Sequence, residues 1–435
     1  MPAPPDRERL ALDEVAATAI PRAGGWIVVA AFLGIVAVGP VLELVAARNG
    51  GATVFGGAPA IPAPRQLLTI ARERGALAAN EALRTGLHAL EDRMGRESAL
   101  SARLRPDAQL ALWRGLDYGN TQVIVGRDDH LYFRTAFDYL VGPPFLDPEV
   151  LARRRRSGGS ALEPDPAPGL ERLGADLARR GIRLVLLPVP VKAAVHPEPL
   201  VRFGRLREER FDNPSMSDLT ERLERAGVAV WDPLPTLRER ARAGETLYFP
   251  TDTHWNPRGM EIVARGVAAF LRAGDFLPER PPAGLEKRTF AYDFPGDLVG
   301  LLGLGDRAAG VARESTELWE ITALGGAPIG STTGDADVLL LGDSYSVVFA
   351  FDIDGRACGF GERLAFELDR PVRRLAKVAA NDLPGRIQWL RDDPALLDGV
   401  KVVIYEVTSR AFTSTDWSPR PLDPPENRKK RRRRP

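Results

Sequence analysis

The sequence predicts an α/β protein built on a mostly parallel, doubly wound sheet with helices on both faces. Three observations carry this expectation. Apolar, branched runs such as Ile182–Val189, Val338–Leu341 and Val402–Val407 show little polar alternation, as strands buried on both faces do. Helical patterns separate these runs from Leu170 onward. One run, Asp337-Val338-Leu339-Leu340-Leu341-Gly342-Asp343-Ser344-Tyr345-Ser346, breaks abruptly into Gly-Asp-Ser. That break sets a serine at the carboxyl end of a strand, where open α/β sheets place their chemistry. Alone, the tripeptide more often marks an ordinary turn with an incidental serine.

Composition narrows the classes. A chain of 435 residues with 44% hydrophobic and 27% charged residues is globular and long enough for more than one folded unit. A formal net charge of +1 gives no drive toward nucleic acid. The single cysteine, Cys358, excludes an intrachain disulfide and a multi-cysteine zinc site. Any mechanism that needs an imidazole must choose among His88, His130, His196 and His254.

Residues 1–24 are mixed in charge and predict a disordered segment. An uncharged run from Gly25 to Leu42 follows, with Trp26 at its edge. About 18 apolar residues suffice to cross a thin hydrocarbon core, so 25–46 is expected to be a transmembrane anchor. A cleaved signal peptide and a buried core helix are the alternatives; the run is long for the first. Arg7, Arg9 and Arg22 before it and Arg48 and Arg65 after it orient it only slightly. Residues 47–120 form a linker and helical region: a Gly/Ala/Pro-rich tether, then helical spacing of Leu83, Leu87 and Leu90, with His88 in a structural position beside that stripe.

The globular domain is expected over 121–417. Thr121–Phe133 reads as a hairpin, with His130 at the surface after its turn, and Arg153–Ser160 as a basic loop. A helix over Leu170–Arg180, closed by Gly181, leads into the strand Ile182–Val189. Lys192 follows that strand, facing either the sheet edge or solvent, and His196 lies in a Pro-flanked loop with no evident partner. A helix over Ser217–Ala226, a short strand over Val228–Trp231 and a helix over Pro233–Arg242 come next. Thr246–Phe249 then leads into Thr251-Asp252-Thr253-His254-Trp255-Asn256, after which Pro257 opens a helix through Arg272. Residues 274–333 are Gly/Pro-rich and read as an irregular insertion. After the serine come a helix over Arg363–Leu368, a strand over Val372–Val378, a helix over Leu383–Arg391 and a last strand over Val402–Val407. Residues 418–435 are a Pro-rich, polybasic tail expected to be disordered, a contact for anionic lipid or polymer or simply a solubilising end.

Ser344 needs a base to become a nucleophile. Of the four histidines only His254 has suitable company, because Asp252 lies two residues earlier and would point the same way in an extended segment. Asp252 could hold the imidazole Nδ1–H and leave Nε2 free for the serine proton. A metal site at the same pair lacks further ligands in the neighbouring sequence, so none is expected. An acyl intermediate also needs oxyanion donors. The Ser344 N–H is the natural first, with Tyr345, Asn381 and Arg410, and Lys192 if it faces that edge, as oxyanion or substrate-binding candidates. No nucleotide fingerprint is present and no cofactor is expected.

Several ordered landmarks resemble a known family: GRDDHLYF with FDYLVGP, GIRLVLLPVPVKAAVHPE, TDTHWNPRG, GDLVGLL, VLLLGDSYS and KVVIYEVTSRAF. Together they resemble the SGNH-hydrolase-like domain of alginate O-acetyltransferases of the AlgX and AlgJ type, over roughly Thr121 to Thr413. The resemblance implies a flavodoxin-like sheet, with Ser344 as nucleophile, His254 as general base and acid, and Asp252 as its orienter. It also implies a single-pass protein of the bacterial inner membrane with its catalytic domain in the periplasm. The acceptor would be an exported polysaccharide, and acetyl groups would come from a membrane-bound O-acyltransferase partner. His130, the long first helical region and the polybasic tail depart from the family pattern. A carbohydrate acetyl esterase with the same three residues is the alternative, because water and a sugar hydroxyl are interchangeable attackers of an acyl-serine.

Overall fold

The computed structural model describes residues 22–48, 61–97, 99–158, 162–200, 211–311, 313–326, 329, 335–350, 353, 355–356, 358–378 and 381–423. The N-terminal segment through residue 21, most of the tether and residues 424–435 lie outside these residues; 418–423, expected to be disordered with that tail, are instead anchored, with Leu422 buried and its N–H donating to Asp176 Oδ2 at 2.7 Å. The chain divides into two units, Met1–Ala108 and Gln109–Pro435.

The first unit is helical: α1 (Arg22–Arg48), α2 (Pro64–Arg74), α3 (Ala76–Glu97) and the start of α4 (Ala99–Leu116). The run 25–42 falls within α1, and its side chains Trp26, Ile27, Phe32 and Leu33 are exposed. Counted over the described residues, no helix is long and apolar enough to cross a membrane, so the anchor expected over 25–46 stays a proposal. His88 is exposed rather than packed, with Nδ1 3.1 Å from Glu91 one turn on.

The second unit is organised by a five-stranded parallel sheet in the order β4–β3–β9–β7–β8. The strands are β3 (Arg183–Val189), β4 (Ala229–Val230), β7 (Val338–Gly342), β8 (Val372–Ala376) and β9 (Val402–Thr408). Leu341 pairs with Tyr405, Leu186 with Tyr405 and Gly342 with Ala376, so β3, β9, β7 and β8 end near one edge. Val338–Leu341 and Val402–Tyr405 are fully buried, which explains their unbroken apolar sequence. One expectation is corrected. A flavodoxin-like sheet runs 2-1-3-4-5; counting only sheet strands in chain order, this one runs 2-1-5-3-4. The last strand, β9, enters the centre between the first and third.

Helices cover the sheet. Among them α5 (Arg134–Val141), α6 (Pro148–Gly158), α7 (Pro166–Ala178) and the single turn α8 (Lys192–Val195) come early. Then follow α9 (Ser215–Arg225), α10 (Leu234–Arg242) and α11 (Pro257–Ala273). Asn256 caps α11 by accepting from the Gly259 N–H at 2.9 Å, an interaction that commonly contributes about 1 kcal/mol. The basic run expected as a loop is instead the second half of α6, because Arg154 is drawn onto the carbonyls of Pro164 and Phe412. His196 does have partners: its Nε2 accepts from the Leu247 N–H at 3.0 Å and its carbonyl from the Tyr132 hydroxyl. His130 is half-buried.

Two small antiparallel pairs complete the unit. β1 (Val123–Val125) and β2 (Leu131–Phe133) form the expected hairpin, with Asp128 and Asp129 at positive φ in its turn. The insertion is not irregular. It contains β5 (Leu285–Phe294) and β6 (Glu314–Ala323), paired along all their length, with the short helix α12 (Asp297–Leu301) between them. Phe290, Tyr292 and Phe294 alternate along β5 and pack against the main core. The helices after β7 are α13 (Ser344–Val347), α14 (Phe360–Leu368) and α15 (Leu383–Asp392).

Candidate active site

Ser344 is half-buried at the first position of α13, where β7 stops. Asp343 shapes this turn. Its Oδ1 accepts from the Tyr345 N–H at 2.9 Å and its Oδ2 from the Thr408 N–H at 2.8 Å, which ties the end of β7 to the end of β9. Below it, Glu406 Oε2 accepts from the Asp343 N–H at 2.9 Å and from Ser346 Oγ at 2.6 Å. Burial first, then the charge of Asp343, pushes the Glu406 carboxyl well above the usual carboxylate range and favours its neutral form. Gly342 is required by this close approach: a Cβ there would run into the Ser346 side chain and the Glu406 carboxyl.

Asp252 and His254 meet this turn from a different part of the chain. They occupy a bend closed by the Tyr248–Trp255 bridge, not the extended run the sequence predicts. Their alignment has another cause. Asp252 Oδ1 accepts from the His254 backbone N–H at 2.8 Å and from Nδ1 of the same residue at 2.8 Å, so one carboxylate oxygen fixes both the bend and the ring. Burial lowers the His254 pKa, but the hydrogen bond and charge of Asp252 outweigh it, helped by Asp297 and opposed by Arg410; the net shift is upward. Burial likewise works against the Asp252 carboxylate, and its bonds to His254 and to the Asp297 N–H leave it below the ordinary value. The remaining imidazole nitrogen, Nε2, is buried and makes no hydrogen bond.

Tyr345 joins the two segments. Its ring lies edge-on to His254 with centroids 4.8 Å apart, and its hydroxyl donates to the Thr253 carbonyl at 2.9 Å. The base candidate therefore packs against the residue that follows Ser344, although no hydrogen bond links the Ser344 hydroxyl to His254. With its N–H on Asp343 and its hydroxyl on Thr253, Tyr345 acts as a clamp rather than a donor turned to substrate.

The other candidates sit around the same edge. Arg410 follows β9, donates to Thr408 Oγ1 at 3.0 Å and lies over the rings of Phe133 and Tyr345 at 5.3 and 6.0 Å. Asn381 follows β8 and is half-buried, with a buried Oδ1 that has no hydrogen-bond partner. Lys192 is buried, so it does not reach solvent. Its Nζ donates to the carbonyls of Leu131 at 2.7 Å and Pro250 at 2.6 Å, with that of Asp252 at 3.4 Å. Burial pulls its pKa down to about 7, with Asp252 opposing. It braces the Asp252 bend from behind.

One residue at the site escapes the sequence reading. Asp297, at the start of α12, has Oδ2 3.7 Å from His254 Nδ1. Asp252, His254 and Asp297 are the one close group of ligand-type side chains among the described residues. Their lone pairs are largely committed to each other: Asp252 Oδ2 accepts from the Asp297 N–H at 2.8 Å and Asp297 Oδ1 from the Thr253 N–H at 2.7 Å. Each carboxylate thus already accepts a backbone N–H within the cluster. The available signal was the Gly-Asp-Leu of GDLVGLL, which spacing alone could not connect to His254.

The profile of the family described as an SGNH hydrolase-like domain, acetyltransferase AlgX, matches residues 123–409, from the first residue of β1 to the first after β9. The chain belongs to that family. The AlgX family match is accompanied by curated relatives. A probable alginate O-acetylase AlgJ of Pseudomonas aeruginosa is 26% identical over 318 residues, covering 69% of this chain and 74% of the relative. That of Azotobacter vinelandii is 26% identical over 311 residues, covering 69% and 73%. Among solved structures, the O-acetyltransferase domain of Pseudomonas putida AlgJ superposes with a TM-score of 0.51 at 21% identity, covering 68% of this chain and 93% of that one. This likeness supports the SGNH-like α/β fold.

Proposed function

We propose that this AlgX-family chain is an O-acetyltransferase that carries an acetyl group on Ser344 and passes it to a hydroxyl of an exported, alginate-like polysaccharide. The observation that carries the reading is the Asp252–His254 pair, with Nδ1 held at 2.8 Å and a buried Nε2 left without a partner beside the Ser344 turn. An imidazole so oriented is built to take a proton at Nε2.

In the first half-reaction Nε2 takes the Ser344 Oγ proton as Oγ attacks the acetyl carbonyl of the donor. The tetrahedral oxyanion falls to the Ser344 N–H, one of the donors that a helix start leaves unpaired, with Asn381 and Arg410 as further groups at the same edge. Collapse expels the donor's leaving group, which takes the proton back from His254, and leaves acetyl-Ser344. In the second half a sugar hydroxyl gives its proton to Nε2 and attacks the ester; collapse returns the proton to Ser344 Oγ. Asp252 stabilises the imidazolium in both halves.

A membrane-bound O-acyltransferase is the proposed acetyl supplier. The apolar run within α1 would anchor the chain in the bacterial inner membrane with the catalytic unit in the periplasm. The test is transfer from an acetyl ester to oligo-uronates by purified protein, followed by mass spectrometry. Acetylated oligosaccharide is expected, and Ser344→Ala should lower transfer at least about 10³-fold. Acetate release with no acetylated product across a panel of neutral and acidic oligosaccharides would make the chain an esterase. Transfer retained by Ser344→Ala would remove the acyl-serine.

A further inference from the structure

The insertion between His254 and Ser344 reaches the Asp252–His254 pair through Asp297, Leu298 and Glu314. Three hydrogen bonds dock residues 297–298 on residues 251–253. The Leu298 N–H donates to the Thr251 carbonyl at 3.2 Å, the Asp297 N–H to Asp252 Oδ2 at 2.8 Å, and the Thr253 N–H to Asp297 Oδ1 at 2.7 Å. Gly296 permits this approach, since a Cβ there would overlap the Thr251 backbone and side chain. From the other arm of the insertion, Glu314 Oε1 accepts from the Thr251 N–H at 2.6 Å and from Thr251 Oγ1 at 2.7 Å. The bend that holds His254 is thus tied both to the insertion and to Lys192.

We infer that Asp297 is a second positioning carboxylate for His254, completing an Asp252–His254–Asp297 relay and giving the insertion its role at the active centre. It would act in two separable ways. As an acceptor, Oδ1 fixes the Thr253 N–H and so the bend. As a charge, Oδ2 at 3.7 Å from Nδ1 stabilises the imidazolium beside Asp252. The two carboxylates are differentiated by surroundings. Asp252 is buried and takes three donors, so it keeps its charge. Asp297 is at the rim, its side chain 38% exposed, where its charge can rise or fall with pH. Partial loss of hydration, then the charge of Asp252, moves its carboxyl upward. The other charged or titratable groups facing His254 are Arg410, which opposes its protonation, and the Tyr345 phenol; Lys192 and Glu314 stand behind the bend.

The inference rests on His254 as the base, and its test has a readout that does not. In the full-length chain, the His254 ring is followed by NMR titration with labelled histidine, its signal assigned by loss in His254→Gln. Asp297→Asn keeps an acceptor for Thr253 and removes the charge. It is expected to lower the His254 midpoint by roughly one pH unit, the low end for an opposite charge within about 4–6 Å. The acid limb of kcat/KM for an acetyl ester should move down by the same amount, with the high-pH kcat within about threefold of the parent and KM unchanged. Asp297→Ala, which also frees the Thr253 N–H, should lower kcat at every pH by at least about tenfold, again with KM unchanged. An unmoved His254 midpoint in Asp297→Asn, or a loss that appears in KM, overturns the inference. A midpoint that moves while the rate profile stays fixed keeps Asp297 coupled to the ring but takes the base role from His254.

Discussion

At the scale of single residues the proposed reaction makes His254 the base, and its environment then sets a pH dependence. The base form is the neutral ring. Burial depresses its protonation, the Asp252 bond and charge reverse that, and the result is a pKa above the ordinary 6.5. Transfer should therefore rise with pH through a midpoint above 6.5. Asp252→Asn keeps an oxygen for the His254 N–H but removes the charge. We expect it to move the limb down and cut kcat about 10²–10⁴-fold, as loss of the orienting carboxylate does in such relays. A rate profile in stopped acetyl-ester assays checks both; a limb that falls as pH rises would contradict the base role. The Asp252–His254 pairing was legible because the two residues stand two apart in a short motif, and the Ser344 turn because its strand breaks into Gly-Asp-Ser. Lys192 and Tyr345 were visible, but their direction was not. Lys192 turned inward because three backbone carbonyls needed a donor, and Tyr345 because the Thr253 carbonyl did. Those acceptors lie 58 to 92 positions away, outside any local pattern.

At the scale of elements, the turn from β7 into α13 depends on β9. Glu406 points from β9 into the turn and serves two donors that have no water to fall back on. Since burial favours its neutral form, an uncharged amide of the same shape should serve. Glu406→Gln is expected to stay within about 1 kcal/mol of the parent. Glu406→Ala strands the Asp343 N–H and the Ser346 hydroxyl and leaves a cavity, and should cost roughly 2–4 kcal/mol. Urea unfolding followed by tryptophan fluorescence would distinguish them; equal losses would mean that the ionised carboxylate is what the turn needs. Strand identity was readable here because Val338–Leu341 and Val402–Tyr405 are buried on both faces. The β5–β6 pair was missed although Phe290, Tyr292 and Phe294 alternate as a half-buried strand requires. The Gly and Pro residues around the pair mask that alternation, because they are strand breakers in sequence. The Asp252 bend was misread in the opposite sense, as extended, because an Asx-type turn and a strand end share the same residue types.

For the whole molecule, class was legible and strand order was not. Alternating strand and helix patterns demand a parallel sheet, but nothing local distinguishes 2-1-5-3-4 from 2-1-3-4-5, since β3, β7 and β9 are all mainly apolar runs. The order matters for the proposal, because inserting β9 beside β7 is what brings Glu406, Thr408 and Arg410 to the Ser344 turn. The same scale governs where the chain works. The run within α1 exposes Trp26, Ile27, Phe32 and Leu33. Burying apolar surface is favourable by about 25 cal/mol per Å², so side chains of this size left in water carry a strong drive toward lipid or a protein partner. The full-length chain is expected in the membrane fraction after carbonate washing, released by detergent. A chain lacking residues 1–48 should move to the soluble fraction and keep its acetyl-ester kcat, because the relay and the serine lie in the unit that begins at Gln109. Full-length protein in the carbonate supernatant would remove the anchor. A soluble truncation with parent kcat but no transfer to polymer in cells would show that the anchor's contribution is proximity to the acetyl supplier and the exported chain, not catalysis.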